Sequence, residues 1–163
     1  MRLPMPAWVV DRLIAWARRT PYFDIHNQAD GSLQEGALKP KAWLPFAVRL
    51  HYIERPDLDR AFHDHPSTFV SLVLRGGYAE CRPTSATPNW RGDEEDSYTI
   101  TRLPGSIALR RFTDRHRIVS VLPNTVTLVV WFSKRQSWGF YTPAGKVHWR
   151  EYASVHNVAP VDG

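Results

Sequence analysis

Residues 63–77 read HDHPSTFVSLVLRGG. In an extended chain successive side chains alternate between two faces, so His63 and His65 project together and Asp64 projects the other way. Two imidazoles placed like this can take neighbouring positions on one metal ion, provided a third ligand comes from another strand. Asp64, on the opposite face, is a poor ligand. Thr68–Leu74, rich in Val, Leu and Phe, follows as a strand, and Gly76-Gly77 turns the chain.

Working outward from that strand, the same kind of short segment recurs from about Trp43 onward. Phe46–Ile53, Gly77–Arg82, Ser97–Arg102, Ser106–Arg110, Arg117–Val121, Val126–Phe132, Trp138–Thr142 and Lys146–Tyr152 all read as strands. Arg55-Pro56-Asp57, Pro104-Gly105, Pro123-Asn124 and Pro143-Ala144-Gly145 are turn signals between them. Evenly spaced short strands of this kind predict an all-β sandwich or closed barrel. Residues 82–97, RPTSATPNWRGDEEDS, read as a solvated hairpin loop. Ahead of the strands, Pro6–Arg19 reads as one helix with Val9, Val10, Leu13, Ile14, Trp16 and Ala17 on its apolar face, stopped by Thr20-Pro21. The chain divides into residues 1–42, a helix and lead-in packing on the barrel, and 43–163, the barrel itself, within one structural domain.

Composition bounds the function. At 163 residues the chain has room for one sizeable core, and 43% hydrophobic with 23% charged residues excludes a mainly disordered chain. No apolar run reaches the roughly 18 residues a membrane helix needs. MRLPMPAWVVDRLIAWARR has charges inside its apolar stretch and no small-residue cleavage site, so it is not read as a secretory signal. The lone Cys81 excludes an internal disulfide and fits a reducing compartment, so a soluble, cytoplasmic protein is expected. The net charge of +5 rests on four lysines and seventeen arginines. These are scattered and accompany no nucleic-acid reader motif, so nucleic acid is not the expected partner. Neither a Gly-x-Ser-x-Gly nucleophile turn nor a glycine-rich phosphate loop is present.

Of the seven histidines, His26, His51, His63, His65, His116, His148 and His156, only His116 has the position of a third ligand: it lies just before the strand RIVSV. Here the sequence resembles the cupins. Their first motif is His-x-His, three or four residues, Glu, six residues and Gly. His63, His65 and Gly77 match it, with Val70 in the place of the Glu. Their second motif, counted from Gly105, puts a histidine at 116, and His116 is there. Arg111, Thr113 and Ser120 replace its Pro, Gly and Asn. The resemblance spans about residues 45–142. It implies a cupin double-stranded β-helix, a jelly-roll barrel, with one N-terminal α-helix and with His63, His65 and His116 as metal ligands.

A site of three neutral histidines without the carboxylate is similar to the cysteine-dioxygenase branch, in which three histidines hold ferrous iron. The resemblance therefore implies a divalent metal, Fe(II) foremost, although Zn(II), Mn(II), Ni(II) or Cu(II) also suit imidazole. It implies a dioxygenase-type oxidoreductase acting on a small anionic substrate. A non-catalytic ligand-binding cupin and a metal-dependent sugar isomerase or epimerase are the alternatives. The 2-oxoglutarate oxygenases use His-x-Asp, and here the acid stands one position out of place. No catalytic residue is assigned from sequence. For the substrate, alternation turns either Arg110 or Arg111 inward, where a guanidinium needs an anion from the protein or the ligand. Arg49, Arg75 and His51 are further candidates, His51 sharing a strand face with Arg49. Trp138, Phe140, Tyr141 and Trp149 can form an aromatic wall. The resemblance also implies a homodimer as one assembly, since cupins frequently pair through their sheets.

Overall fold

The computed structural model describes residues 4–19, 25–27, 32–38, 46–57 and 61–155. Helix α1 (Ala7–Arg19) precedes β1 (Ile25–Asn27), β2 (Ser32–Leu38), β3 (Phe46–Ile53), β4 (Phe62–His63), β5 (Ser67–Arg75), β6 (Tyr78–Pro83) and β7 (Trp90–Arg91). Then follow β8 (Glu94–Glu95), β9 (Ser97–Arg102), β10 (Ile107–Arg110), β11 (Arg117–Val121), β12 (Thr125–Lys134), β13 (Gly139–Thr142), β14 (Gly145–His148) and α2 (Trp149–Val155). Six strands form the largest sheet in the order β1-β2-β3-β12-β5-β10. Two three-stranded sheets, β11-β6-β9 and β14-β13-β4, and the small hairpin β7-β8 complete the β structure of the described residues, every named pairing being antiparallel.

Side-chain alternation assigns the two faces of the large sheet. Leu50, Leu128 and Leu72 stand in register across β3, β12 and β5. With Val48, Tyr52 and Val126 they pack on Val10, Leu13, Ile14 and Ala17 of α1. The helix thus covers the outer face, as its apolar stripe predicts. Trp16 is the exception, 46% exposed. On the inner face Ile53 and Val73 meet Tyr78 of β6 and Ile118 and Val121 of β11, which fills one end of the barrel. Ala47, Phe69 and Trp131, paired across the same three strands, mark the other end.

The turn after β5 explains the paired glycines. Gly76 has φ +70 and Gly77 φ +151, and a Cβ on Gly76 would stand 2.4 Å from Thr125 Oγ1. That hydroxyl instead accepts the Gly77 N–H at 2.9 Å. A side chain at Gly76 would clash and also be strained.

Two features depart from the sequence reading. The lead-in contains β1 and β2, and β2 pairs with β3 in the main sheet. Residues 82–97 form the expected hairpin loop between β6 and β9, with the short pairing β7-β8 inside it. The strand expected over Lys146–Tyr152 stops at His148 and becomes α2. Trp149 and Tyr152, three residues apart, stack on Trp138 and Phe140, a spacing that a helix satisfies and a strand does not. His156 lies outside the described residues. Among the described residues no helix is long and apolar enough to cross a membrane.

Leu50 is 1% exposed at the centre of the helix–sheet layer. Leu50→Ala is expected to cost about 2–5 kcal/mol of stability in denaturant unfolding. Trp16→Ala, at the exposed edge of the same helix, is expected to change it by less than about 1 kcal/mol.

Candidate metal centre

The geometry of the histidines starts at the backbone. His63 ends β4, and its N–H and carbonyl pair with those of His116, both hydrogen bonds being 3.0 Å. Residues directly opposed in an antiparallel pair present their side chains on one face, and His65, two residues on from His63, joins them. The ring centroids lie 5.2 Å apart for His63–His65, 4.8 Å for His63–His116 and 5.0 Å for His65–His116. One ring nitrogen from each residue lies within 4.8 Å of the other two, and Nε2 of His65 is 2.8 Å from Nε2 of His116. Nitrogens bound to one ion at about 2.0–2.1 Å stand within about 4.2 Å of each other, so a small closing movement suffices.

Electrostatics favour the ligand form of the rings. Burial, with repulsion from His116 and His63, holds the His65 imidazole well below its usual range. Burial also lowers His116, outweighing the opposite pull of Glu80. Neutral imidazole is the form that binds metal. Glu80 Oε2 lies 3.2 Å from His116 Nδ1, which places the proton on Nδ1 and leaves the Nε2 lone pair facing the cluster. Asp57 Oδ2 is 3.7 Å from His63 Nδ1 and accepts the Ile118 N–H at 2.6 Å. Burial pushes the Asp57 carboxyl up to about 6 against the pull of that hydrogen bond and its cationic neighbours. Three imidazoles, that of His116 backed by a carboxylate on its far nitrogen, make a donor set that fits a divalent first-row ion.

The arginine candidates separate. Arg110 turns inward, as alternation allows, but its guanidinium donates to Glu80, as does Arg102 Nε at 2.9 Å. The anion that an inward arginine requires is therefore supplied by the protein. Burial alone would raise Glu80, but His116 and Arg110 hold it well below the usual carboxylate range. Arg111 is exposed, with its backbone N–H on Asp114 Oδ2 at 3.0 Å. Arg75 lies away from the barrel interior, paired with Asp11 of α1. Arg49 and His51 do face inward, in register with Val129 and Thr127. Burial, helped by the Arg49 charge, lowers the His51 imidazole to about 3.

Around the histidines stand Phe69 and Trp131 beside His65, and Trp138 and Phe140 beside His63, with centroid separations of 4.8 to 6.2 Å. The aromatic wall expected from the C-terminal stretch 131–152 is thus formed by Trp131, Trp138 and Phe140, while Tyr141 donates to Asp64 and Trp149 stacks behind Trp138. One sequence assignment shifts by a residue. Val70 pairs with Val130 on the outward row, while Phe69 projects against His65, so the carboxylate's place in the motif is filled in space by Phe69. Asp64 faces the other way and is fully buried. It accepts hydrogen bonds from the Gly139 N–H at 2.9 Å, Tyr141 hydroxyl at 3.0 Å, Gln136 Nε2 at 2.8 Å and the Lys146 ammonium.

Sequence reasoning missed Glu80 and Asp57. Glu80 carries a usable signal, since Tyr78 faces the core and alternation puts an acid two residues later on the same face, where it needs a cation. Asp57 sits in a turn and carries none.

No family model matches the chain, and no curated protein does. Solved structures do. The DMSP lyase DddQ from Ruegeria pomeroyi DSS-3 is 15% identical with a TM-score of 0.58, over 88% of this chain and 73% of that one. The polyketide cyclase RemF from Streptomyces resistomycificus is 15% identical with a TM-score of 0.57, over 85% of this chain and 89% of that one. An Fe(II) form of HppE is 11% identical with a TM-score of 0.52, over 69% of this chain and 56% of that one. These likenesses show the fold: the chain has the cupin-type barrel expected from its sequence, with an N-terminal helix on it.

Two outcomes are expected. Glu80→Gln removes the charge behind His116 and should weaken Zn(II) binding about 10–100-fold in chelator competition. His51, neutral when folded and protonated near its usual 6.5 when unfolded, contributes stability above that value that is lost as pH falls toward about 3. The stability difference between the wild type and His51→Phe should therefore change by up to about 1.4 kcal/mol per pH unit across that window, with the wild type losing ground in acid.

Proposed function

We propose that this cupin-fold chain holds one divalent metal ion, Fe(II) by preference, on His63, His65 and His116, and acts as a dioxygenase-type oxidoreductase on a small anionic substrate. The observation that carries the reading is the convergence of three histidine nitrogens within 4.8 Å, a group that contains no carboxylate. Glu80 backs the His116 ring from Nδ1, and Asp57 lies 3.7 Å from Nδ1 of His63. A ferrous ion supplies the one-electron chemistry that dioxygen needs to react with a closed-shell organic substrate.

The chain's own residues do the rest. Asp64 and the His63–His116 backbone pair hold the ligands in place. Phe69, Trp131, Trp138 and Phe140 limit water around the reacting groups. The Arg49 guanidinium, on the inner row, favours an anion. HppE, which carries Fe(II), shares the fold. The lyase DddQ and the cyclase RemF share it too, so the donor set rather than the fold supports the oxidative reading.

Anaerobic loading with Fe(II) should leave about one ion per chain in the wild type, and His116→Ala should lose it. The loaded protein should then consume oxygen with some member of a panel of small carboxylates and thiols. Full iron occupancy with no oxygen uptake across the panel overturns the dioxygenase assignment. Equal iron retention in His116→Ala overturns the metal site.

A further inference from the structure

We propose that the inner wall formed by β3 and β12 beside His65 is a carboxylate subsite, in which the Trp131 indole N–H and the His51 Nε2–H receive the substrate's carboxylate. The assignment deepens the three-histidine reading and rests on it for where the remainder of the substrate lies.

Two orphaned atoms carry the inference. Trp131 Nε1 and His51 Nε2 are both shielded from solvent, and neither has a hydrogen-bond partner in the protein. Buried polar atoms are nearly always satisfied, and each exception calls for an explanation. These two belong to neighbouring rings whose centroids are 6.0 Å apart. An indole N–H can only donate, so the missing partner is an acceptor.

Strand register puts them on one face. His51 stands opposite Thr127 and Ala47 opposite Trp131, and Arg49 opposite Val129 lies between them on the same inward row. The Arg49 charge acts on His51, adding to the effect of burial. A neutral imidazole has one N–H, and on Nε2 it becomes a second donor. Two donors with a guanidinium charge beside them select an anionic oxygen pair over a cation or an apolar group. A phosphate, with up to two charges and three acceptor oxygens, asks for more donors than this wall presents.

The wall also reaches the metal centre. The Trp131 ring lies 5.7 Å from His65 and 4.4 Å from Phe69. A short acid anchored at the wall would thus extend toward the three histidines.

The test is an NMR titration of the full chain, labelled with ¹⁵N, in metal-free and Zn(II)-loaded forms. Trp131→Phe identifies the Trp131 indole resonance, while the other tryptophan indoles report that the fold is intact. Propionate should shift that resonance saturably in both forms, while propionamide and inorganic phosphate leave it in place. His51→Phe should weaken propionate binding about tenfold or more. An unmoved Trp131 indole, an equal shift from propionamide or phosphate, or unchanged affinity in His51→Phe would overturn the proposal. Loss of the shift in metal-free His63→Ala would also overturn it, by placing the carboxylate on the histidines. The metal reading fails separately, as absent Zn(II) uptake, and a propionate shift in such a protein still supports the subsite.

Discussion

Two backbone hydrogen bonds between His63 and His116 close the barrel where the candidate ligands stand. They join β4, at the edge of one three-stranded sheet, to the start of β11 in the other. On its far side His63 is paired with Phe140. The segment that carries the ligands is therefore a seam between sheets, and its register fixes the ring positions before any ion contributes. Asp64, held from the opposite face by four donors, keeps the seam from rotating. Gln136 reinforces it by donating to the carbonyls of His65 and Phe112 at 3.0 and 2.6 Å.

Charge inside this barrel is balanced locally. Glu80 receives Arg110 and Arg102, and Glu95 receives Arg115 at 2.8 Å, with Arg115 also donating to the carbonyls of Ser85 and Ala86. Buried ions persist only when paired and hydrogen-bonded, and both clusters meet that requirement. The second pins the 82–97 stretch to the barrel wall, because Arg115 lies immediately before His116. A chain with seventeen arginines thus spends several of them on its own carboxylates.

Where the sequence was legible, period and spacing carried the information. The two-residue spacing of His63 and His65 and the position of His116 pointed to one cluster, and the structure brings those rings together. Phe46–Ile53, Ser97–Arg102 and Arg117–Val121 appear with the bounds their apolar runs suggested. What stayed hidden depends on partners remote in sequence. Glu80 meets His116 and Arg110 only through the pairing of β6 with β11 and the closure of the barrel. Val70 and Phe69 compete for one motif position, and only the pairing of β5 with β12 decides which faces inward. The short β1 and the glycine-bearing β2 lack a strong alternating pattern, so pairing with β3 rather than local preference accounts for them.

The apolar cluster of Ile53, Val73 and Tyr78 lies at the end of the barrel away from Trp131 and Phe69. The apolar packing and the rings around the histidines are thereby housed in different halves of one sheet, on the same strands. Rings at the histidine end can be exchanged through evolution while the apolar end and the helix layer keep the scaffold standing. A barrel divided in this way is free to change its chemistry by single substitutions, which accords with a lyase, a cyclase and an iron protein sharing its shape.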